Sequence, residues 1–355
     1  MKKSFLIACA SVTSILMSQQ ALADFDYFKT DGSFKRFSVS AGWLHASPQG
    51  DANPLQNTTA INEGTVAQNG SIRVDTVKEV VDPNQSEDVL FEVNGLLNEL
   101  PGDADLGELS GESTINGLQS WTSAGSGLQS DTVDTIGLLF NYYVDDNWSV
   151  EFKAGVPPKV DIMGKGQVFA PLTGTVNSQA LPEFTIKKDI PITDLEQGNG
   201  VASTARAWLP AAGIQYQFGK SGVNKFRPYV VVGAMYAYFN DIELNEGIRS
   251  DLERAGDQIQ NIKDGKAGAA LEDVKSSRGM KVKVDAESAL APIITVGGTY
   301  DFDDRWFAVG SLSYAKLDSE TTITVKNDIG ETLIRSKSNL DIDPYITYLG
   351  VGYRF

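Results

Sequence analysis

The 355-residue sequence has one cysteine, Cys9, and one histidine, His45. A lone thiol cannot close an intramolecular disulfide, and a lone imidazole cannot build a histidine metal cluster. His45 could serve a hydroxyl nucleophile such as Ser47, but no third partner stands at a recognisable spacing, so no enzymatic activity is expected. Long apolar runs are missing too: beyond residue 23 nothing approaches the roughly 20 residues that a membrane-spanning helix needs. Cations are in the minority, 30 Lys and Arg against 46 Asp and Glu for a formal charge of −16, which argues against nucleic acid as a partner. The glycine-rich stretches lack the strand-to-helix spacing that cradles phosphate. The acidic clusters Asp301-Asp303-Asp304 and Asp341-Asp343 lack the spacing of a dedicated calcium loop. Neither cofactor nor metal is expected.

What is present begins with an address. Lys2 and Lys3 precede an apolar run from Phe5 to Met17 and then Ala21-Leu22-Ala23, the order of a basic segment, a hydrophobic segment and a small-x-small cleavage site. The expectation is a signal peptide over residues 1–23, cleaved after Ala23, which removes Cys9 and two cations. Leu6-Ile7-Ala8-Cys9 superficially resembles a lipoprotein signal but leaves almost no hydrophobic segment ahead of the cysteine.

The remainder, 24–355, alternates in short runs. An export signal without membrane helices leaves a closed β-barrel as the way to cross lipid. Three tight polar turns, at Asp145-Asp146-Asn147, Lys220 to Lys225 and Asp303-Asp304-Arg305, each join two alternating runs. Strands are predicted near 35–46, 131–144, 148–157, 206–219, 226–239, 285–302, 306–325 and 332–355. The fold class is therefore all-β: an eight-stranded antiparallel up-and-down transmembrane barrel in the outer membrane of a Gram-negative cell, with short periplasmic turns. The extracellular loops fall at about 47–130, 158–205, 240–284 and 326–331. The first is long enough to carry structure of its own, with an extended run at Ile72 to Val81 and an apolar run at Val89 to Leu100. In the third, Ile248, Leu252, Ala255, Ile259 and Ile262 recur at helical spacing, marking an amphipathic helix packed on the rim or neighbouring loops. Strands 7 and 8 run longer than a bilayer requires and should project above it.

The stretches AGWLHASP (41–48), NWSVEFKAGVPP (147–158), WLPAAGIQYQFG (208–219), KFRPYVVVGA (225–234), RWFAVGSLSYAKLD (305–318) and LDIDPYITYLGVGYRF (340–355) resemble the OmpW family of small outer-membrane barrels, with its OprG-like and AlkL-like members. The most specific pieces are Phe226-Arg227-Pro228-Tyr229, Asp343-Pro344 and the terminal Tyr353-Arg354-Phe355. The resemblance covers most strands and almost none of the first three loops. It implies an eight-stranded barrel and passive uptake of small hydrophobic or amphipathic compounds. Gly350, Tyr353 and Phe355 resemble the C-terminal signal read by the barrel-assembly machinery, an expected partner during biogenesis.

Period-two alternation assigns the faces. Trp148, Val150, Phe152 and Ala154 face lipid, which turns Glu151 and Lys153 inward, with Gln215, Gln217, Arg227, Tyr229, Asp301 and Arg354: a polar base. Above it the inward set becomes Leu44, Leu139, Leu209, Val231, Met235, Ile293 and Ile346, an apolar upper path. A barrel this narrow is filled by side chains, so charges at the base should pair and close it. Pro157, Pro158 and Pro210 lie about 25 Å above the periplasmic edge at roughly 2.5 Å per tilted residue. Because proline donates no ladder bond, they mark a candidate lateral seam between strands 3 and 4. The expected partners are membrane lipids and small hydrophobic solutes. A surface-interaction protein, with the barrel as anchor for large acidic loops, is the alternative.

Overall fold

The computed structural model describes residues 35–355; the leader segment 1–23 lies outside them. Eight antiparallel strands close a barrel: β1 (Phe37–Ser47), β2 (Val133–Tyr143), β3 (Trp148–Gly155), β4 (Ala211–Gln217), β5 (Phe226–Leu244), β6 (Ala289–Asp301), β7 (Trp306–Ala315) and β8 (Tyr345–Arg354). Round the ring they run β4, β3, β2, β1, β8, β7, β6, β5, and β4 pairing with β5 closes it. The outward face carries Ile136, Leu138, Phe152, Ile214, Val232, Ile294, Val296, Leu349 and Val351, all exposed, as hydrocarbon contact requires. Below this band exposed Trp148, Phe226, Tyr300, Trp306 and Phe355 form one girdle, and Trp43, Trp208, Tyr238 and Tyr345 mark the other edge.

Two short turns use one device. Asp145 accepts hydrogen bonds from the backbone N–H of Asn147 and Trp148, at 2.8 and 2.7 Å, and Asp303 does the same for Arg305 and Trp306. The N–H of Trp148 and then of Asn147 hold the Asp145 carboxyl below the usual carboxylate range; Trp306 and Arg305 act likewise on Asp303. A depressed folded pKa stabilises the turns above the unfolded value, and that contribution is lost as pH falls through the folded one. The urea midpoint of the native chain should exceed that of Asp145→Ala/Asp303→Ala at neutral pH, and the two should converge as pH falls through the carboxylate range.

The long loops are not loops. Seven further strands continue the wall upward from the upper half of β5, in the order 201–208, 159–165, 120–130, 53–59, 332–341, 318–327 and 280–286. This second storey stands on the transmembrane barrel, so predicted strands 6, 7 and 8 each divide in two, at 287–288, 316–317 and 342–344, and the fourth breaks at Leu209-Pro210. A four-stranded sheet of 184–194, 167–177, 112–116 and 65–68 caps the top. The run at Ile72 to Val81 is helical, not extended: α1 (Val74–Val80) buries Val74, Val77 and Val80. Their three-residue spacing outweighs the β preference of valine because one helical face meets Val93 and Leu97 of α2 (Glu87–Asn98) together with Phe184 and Ile186. The amphipathic segment is helix α3 (Glu246–Lys263), begun by the Asn245 side chain capping Gly247 N–H. All five of its predicted apolar residues are buried against the capping sheet and the upper wall.

Candidate functional site

Every residue assigned to the polar base points inward. Glu151, Lys153, Gln215, Gln217, Arg227 and Arg354 are buried and Asp301 nearly so. Arg354 pairs with Asp301 at 2.8 Å and lies over the Phe307 ring. Arg227 pairs with Asp146 of the first turn at 3.7 Å and donates to the Phe218 carbonyl. Gln217 donates to Thr299 at 2.7 Å, and Asn141 donates to Gln215 at 3.0 Å. These bonds lash strands together through the lumen. Aromatic rings fill the gaps where glycine removes a side chain: Tyr229 lies over Gly297 and Phe307 over Gly352, so that a Cβ at either glycine would fall 2.5 or 2.2 Å from a ring carbon.

Lys153 is the topmost member of this belt. Its ammonium stands 3.9 Å from Glu151 and donates to Ser313 on β7 at 2.9 Å, and Ser313 in turn meets Thr295 on β6. In the ring order β3 and β7 are four strands apart, diametrically opposite. Lys153 is therefore a crossbar through the middle of the barrel.

Above it lie Leu44, Leu209, Met235, Ile293 and Ile346, packed into the large apolar cluster. Leu139 and Val231 do not belong with them. Leu139 pairs directly with Lys153, and Val231 with Gln215; both pack with Tyr229, Phe307, Val309 and Tyr348 in a separate cluster inside the polar belt. Counting from the shared turns explains the correction: Leu139 lies six residues before Asp145 and Lys153 six after Asn147, so their hairpin sets them opposite one another, and the next-but-one hairpin does the same for Gln215 and Val231. Between hairpins, levels are set by stagger. From Lys153, pairing followed round through β2, β1, β8 and β7 reaches Asp301, and the other way round through β4 and β5 it reaches Ala291. That ten-residue stagger decides which residues of different hairpins share a level.

Between β3 and β4 the ladder lapses. Pairing ends at Lys153 with Ala211 and resumes one storey up at Lys159 with Arg206, where Ala207 N–H donates to the Pro158 carbonyl. In the interval lie Pro157 and Pro158 on one side and Leu209 and Pro210 on the other. Pro210 is not a cause of the lapse: its carbonyl accepts from Tyr236 N–H on β5, and in an antiparallel pair both polar groups of a residue point the same way. The seam side of the lapse carries Pro157 and Pro158, neither of which has an N–H, and because neighbouring residues of a strand face opposite edges, one of these two missing donors belongs to the seam. A small apolar cavity lies here, lined inside by Met235, Ile293 and Ile346 and on the outer side by Ala154, Val156 and the two prolines. Above it a second small apolar cavity lies in the lower part of the upper storey, and the two share Ala46, Val133, Ala207 and Leu209.

His45 stacks on Trp43, and both bond to Asp134, at 3.0 and 2.7 Å. Asp134, a partner that spacing alone did not reveal, comes from the neighbouring strand in register. At the chain end Gly350 faces inward beneath the Tyr348 ring, Tyr353 packs between Trp306 and Phe355, and Phe355 N–H donates to the Phe37 carbonyl.

No family model matches the chain. It is 24% identical over 220 residues to Outer membrane protein W of Vibrio cholerae serotype O1, covering 62% of this chain and 73% of that one. Among solved structures it is similar to OprG from Pseudomonas aeruginosa, at 13% identity with a TM-score of 0.48, covering 91% of this chain and 97% of that one. It is also similar to AlkL in DMPC bilayers, at 14% identity with a TM-score of 0.38, covering 94% and 96%.

Proposed function

From the premise that this chain is a Gram-negative outer-membrane β-barrel resembling the OmpW family, we propose that it is a passive conduit for small hydrophobic or amphipathic molecules. A solute descends the apolar upper lumen, is stopped by the Lys153 crossbar, and leaves sideways between β3 and β4 into the outer leaflet. One observation carries the reading: the apolar space directly above a charged floor extends to the lipid side where the β3–β4 ladder lapses. The driving force is the solute's preference for hydrocarbon over water, so no energy source is required. The floor explains how such a route avoids leaking ions, because each charge in it is held by a partner across or beside the lumen.

The test is passage of N-phenyl-1-naphthylamine, which brightens on reaching hydrocarbon, into lipopolysaccharide-faced vesicles. Leu209 is half-buried on the rim of the lapse, so a carboxylate there changes the path while leaving the core intact. Leu209→Glu should slow passage about tenfold, because a charge in the apolar path costs well over 1.4 kcal/mol. Leu209→Met, which keeps volume and polarity, should not. Equal rates for native protein and protein-free vesicles would end the conduit reading.

A further inference from the structure

The roof of the upper storey is closed. Ile115, Leu118, Ala170, Leu172, Ile190 and Ile192 of the capping sheet and its flanking turn form one continuous core with Leu252, Ala255, Ile259 and Ile262 of α3. Most of these residues line an apolar pocket beneath the capping sheet, so a solute approaching along the barrel axis meets the sheet and this pocket before the upper cavity, and a side route is the shorter one.

The wall offers one such route. Pairing of β5 with β6 stops at Ala237 with Ala289. Above that level β5 continues to Leu244, pairing with 201–208 on its other side, while strand 280–286 pairs with 318–327. These two strands end the upper sheet and do not pair with each other. Two free edges therefore stand side by side, a slot in the upper storey, whose other neighbouring strands are hydrogen-bonded to one another. Unpaired edges invite aggregation, and proteins blunt them. Here the β5 edge is bent by Asp241, in the left-handed region at φ 49°, beside a shift of register against 201–208. The other edge turns Lys283 and Asp285 outward as an ion pair at 2.6 Å.

The upper cavity lies directly behind the slot. Phe239 and Ile242 line it from the β5 edge and Val284 and Ala286 from the opposing edge, all four only partly buried. Its inner wall is Val160, Ile162, Leu317, Leu340 and Ile342, with hydroxyls from Ser203, Ser319 and Thr321. We propose that this slot is the admission port: uncharged, hydrocarbon-like molecules, bearing at most a hydroxyl, enter the upper storey from the side between β5 and strand 280–286. From there they pass down to the cavity at the β3–β4 lapse, which shares four lining residues with this one. The inference rests on the conduit reading and specifies where its solute comes in.

The experiment locks the slot. In a Cys9→Ser background, Ile242→Cys and Val284→Cys are bridged with a short bismaleimide, and N-phenyl-1-naphthylamine passage is measured in the same vesicles. The unbridged pair should pass the probe at the native rate, and bridging should cut the rate about tenfold, as closing a gate does. Val284→Trp, which fills the slot without chemistry, should reproduce the loss. If native protein carries the probe and both the bridged and the tryptophan variants carry it equally fast, the port is elsewhere and the proposal falls. If native protein carries none, the conduit reading itself has failed.

Discussion

Lys153→Met should destabilise the folded barrel by roughly 3 kcal/mol, the cost of leaving a buried carboxylate without its cation. Lys153 and Glu151 are each about 5% exposed, and the ammonium is the nearest countercharge to Glu151. A methionine fills similar volume without donating to Ser313, so the loss is electrostatic and not a cavity effect. Glu151→Gln/Lys153→Met should recover most of it, since the double change removes both charges together. Urea titration in detergent or bilayers measures each step; a single variant as stable as the native chain would show that the pair contributes nothing. The substitution has a second consequence. Without the crossbar, the polar lower lumen and the upper cavity join, and Lys153→Ala should raise ion conductance across planar bilayers above the native level.

Giving the seam its donor should slow solute exit. Pro157→Val/Pro158→Thr restores both N–H groups, one of which faces the seam, and probe passage should fall about tenfold as the lateral route narrows. Stability should hold or rise, because ladder bonds are gained. Pro210→Val supplies the internal control: its bonding edge faces β5 through Tyr236, so passage should change little. Undiminished passage in the double variant would remove the lateral route from the proposal.

The eight transmembrane strands were legible because alternation and three polar turns are local signals. Glu151 and Lys153 could be turned inward by parity alone, and so could Leu44, Met235, Ile293 and Ile346. Height within one hairpin was legible: Leu139 stands as far before its turn as Lys153 stands after it, and Val231 answers Gln215 in the same way, so counting places both in the polar belt despite their apolar side chains. Height between hairpins was not legible, because barrel stagger sets it. Nor was the partner of His45 legible, because Asp134 lies 89 residues away and meets it only through register.

The outer strands were missed for a related reason. Strands 53–59 and 120–130 are polar on one face and carry glycine, asparagine and serine within or beside them, so their composition reads as loop. What makes them strands is the neighbouring edge that each extends, a long-range fact. Residue order dictates which side of each strand a side chain takes, since that depends on a two-residue period and nothing else. Which residues share a level, where the ladder lapses and which edges stay unpaired depend on the stagger of strands far apart in the chain, and closure of the barrel alone sets that stagger.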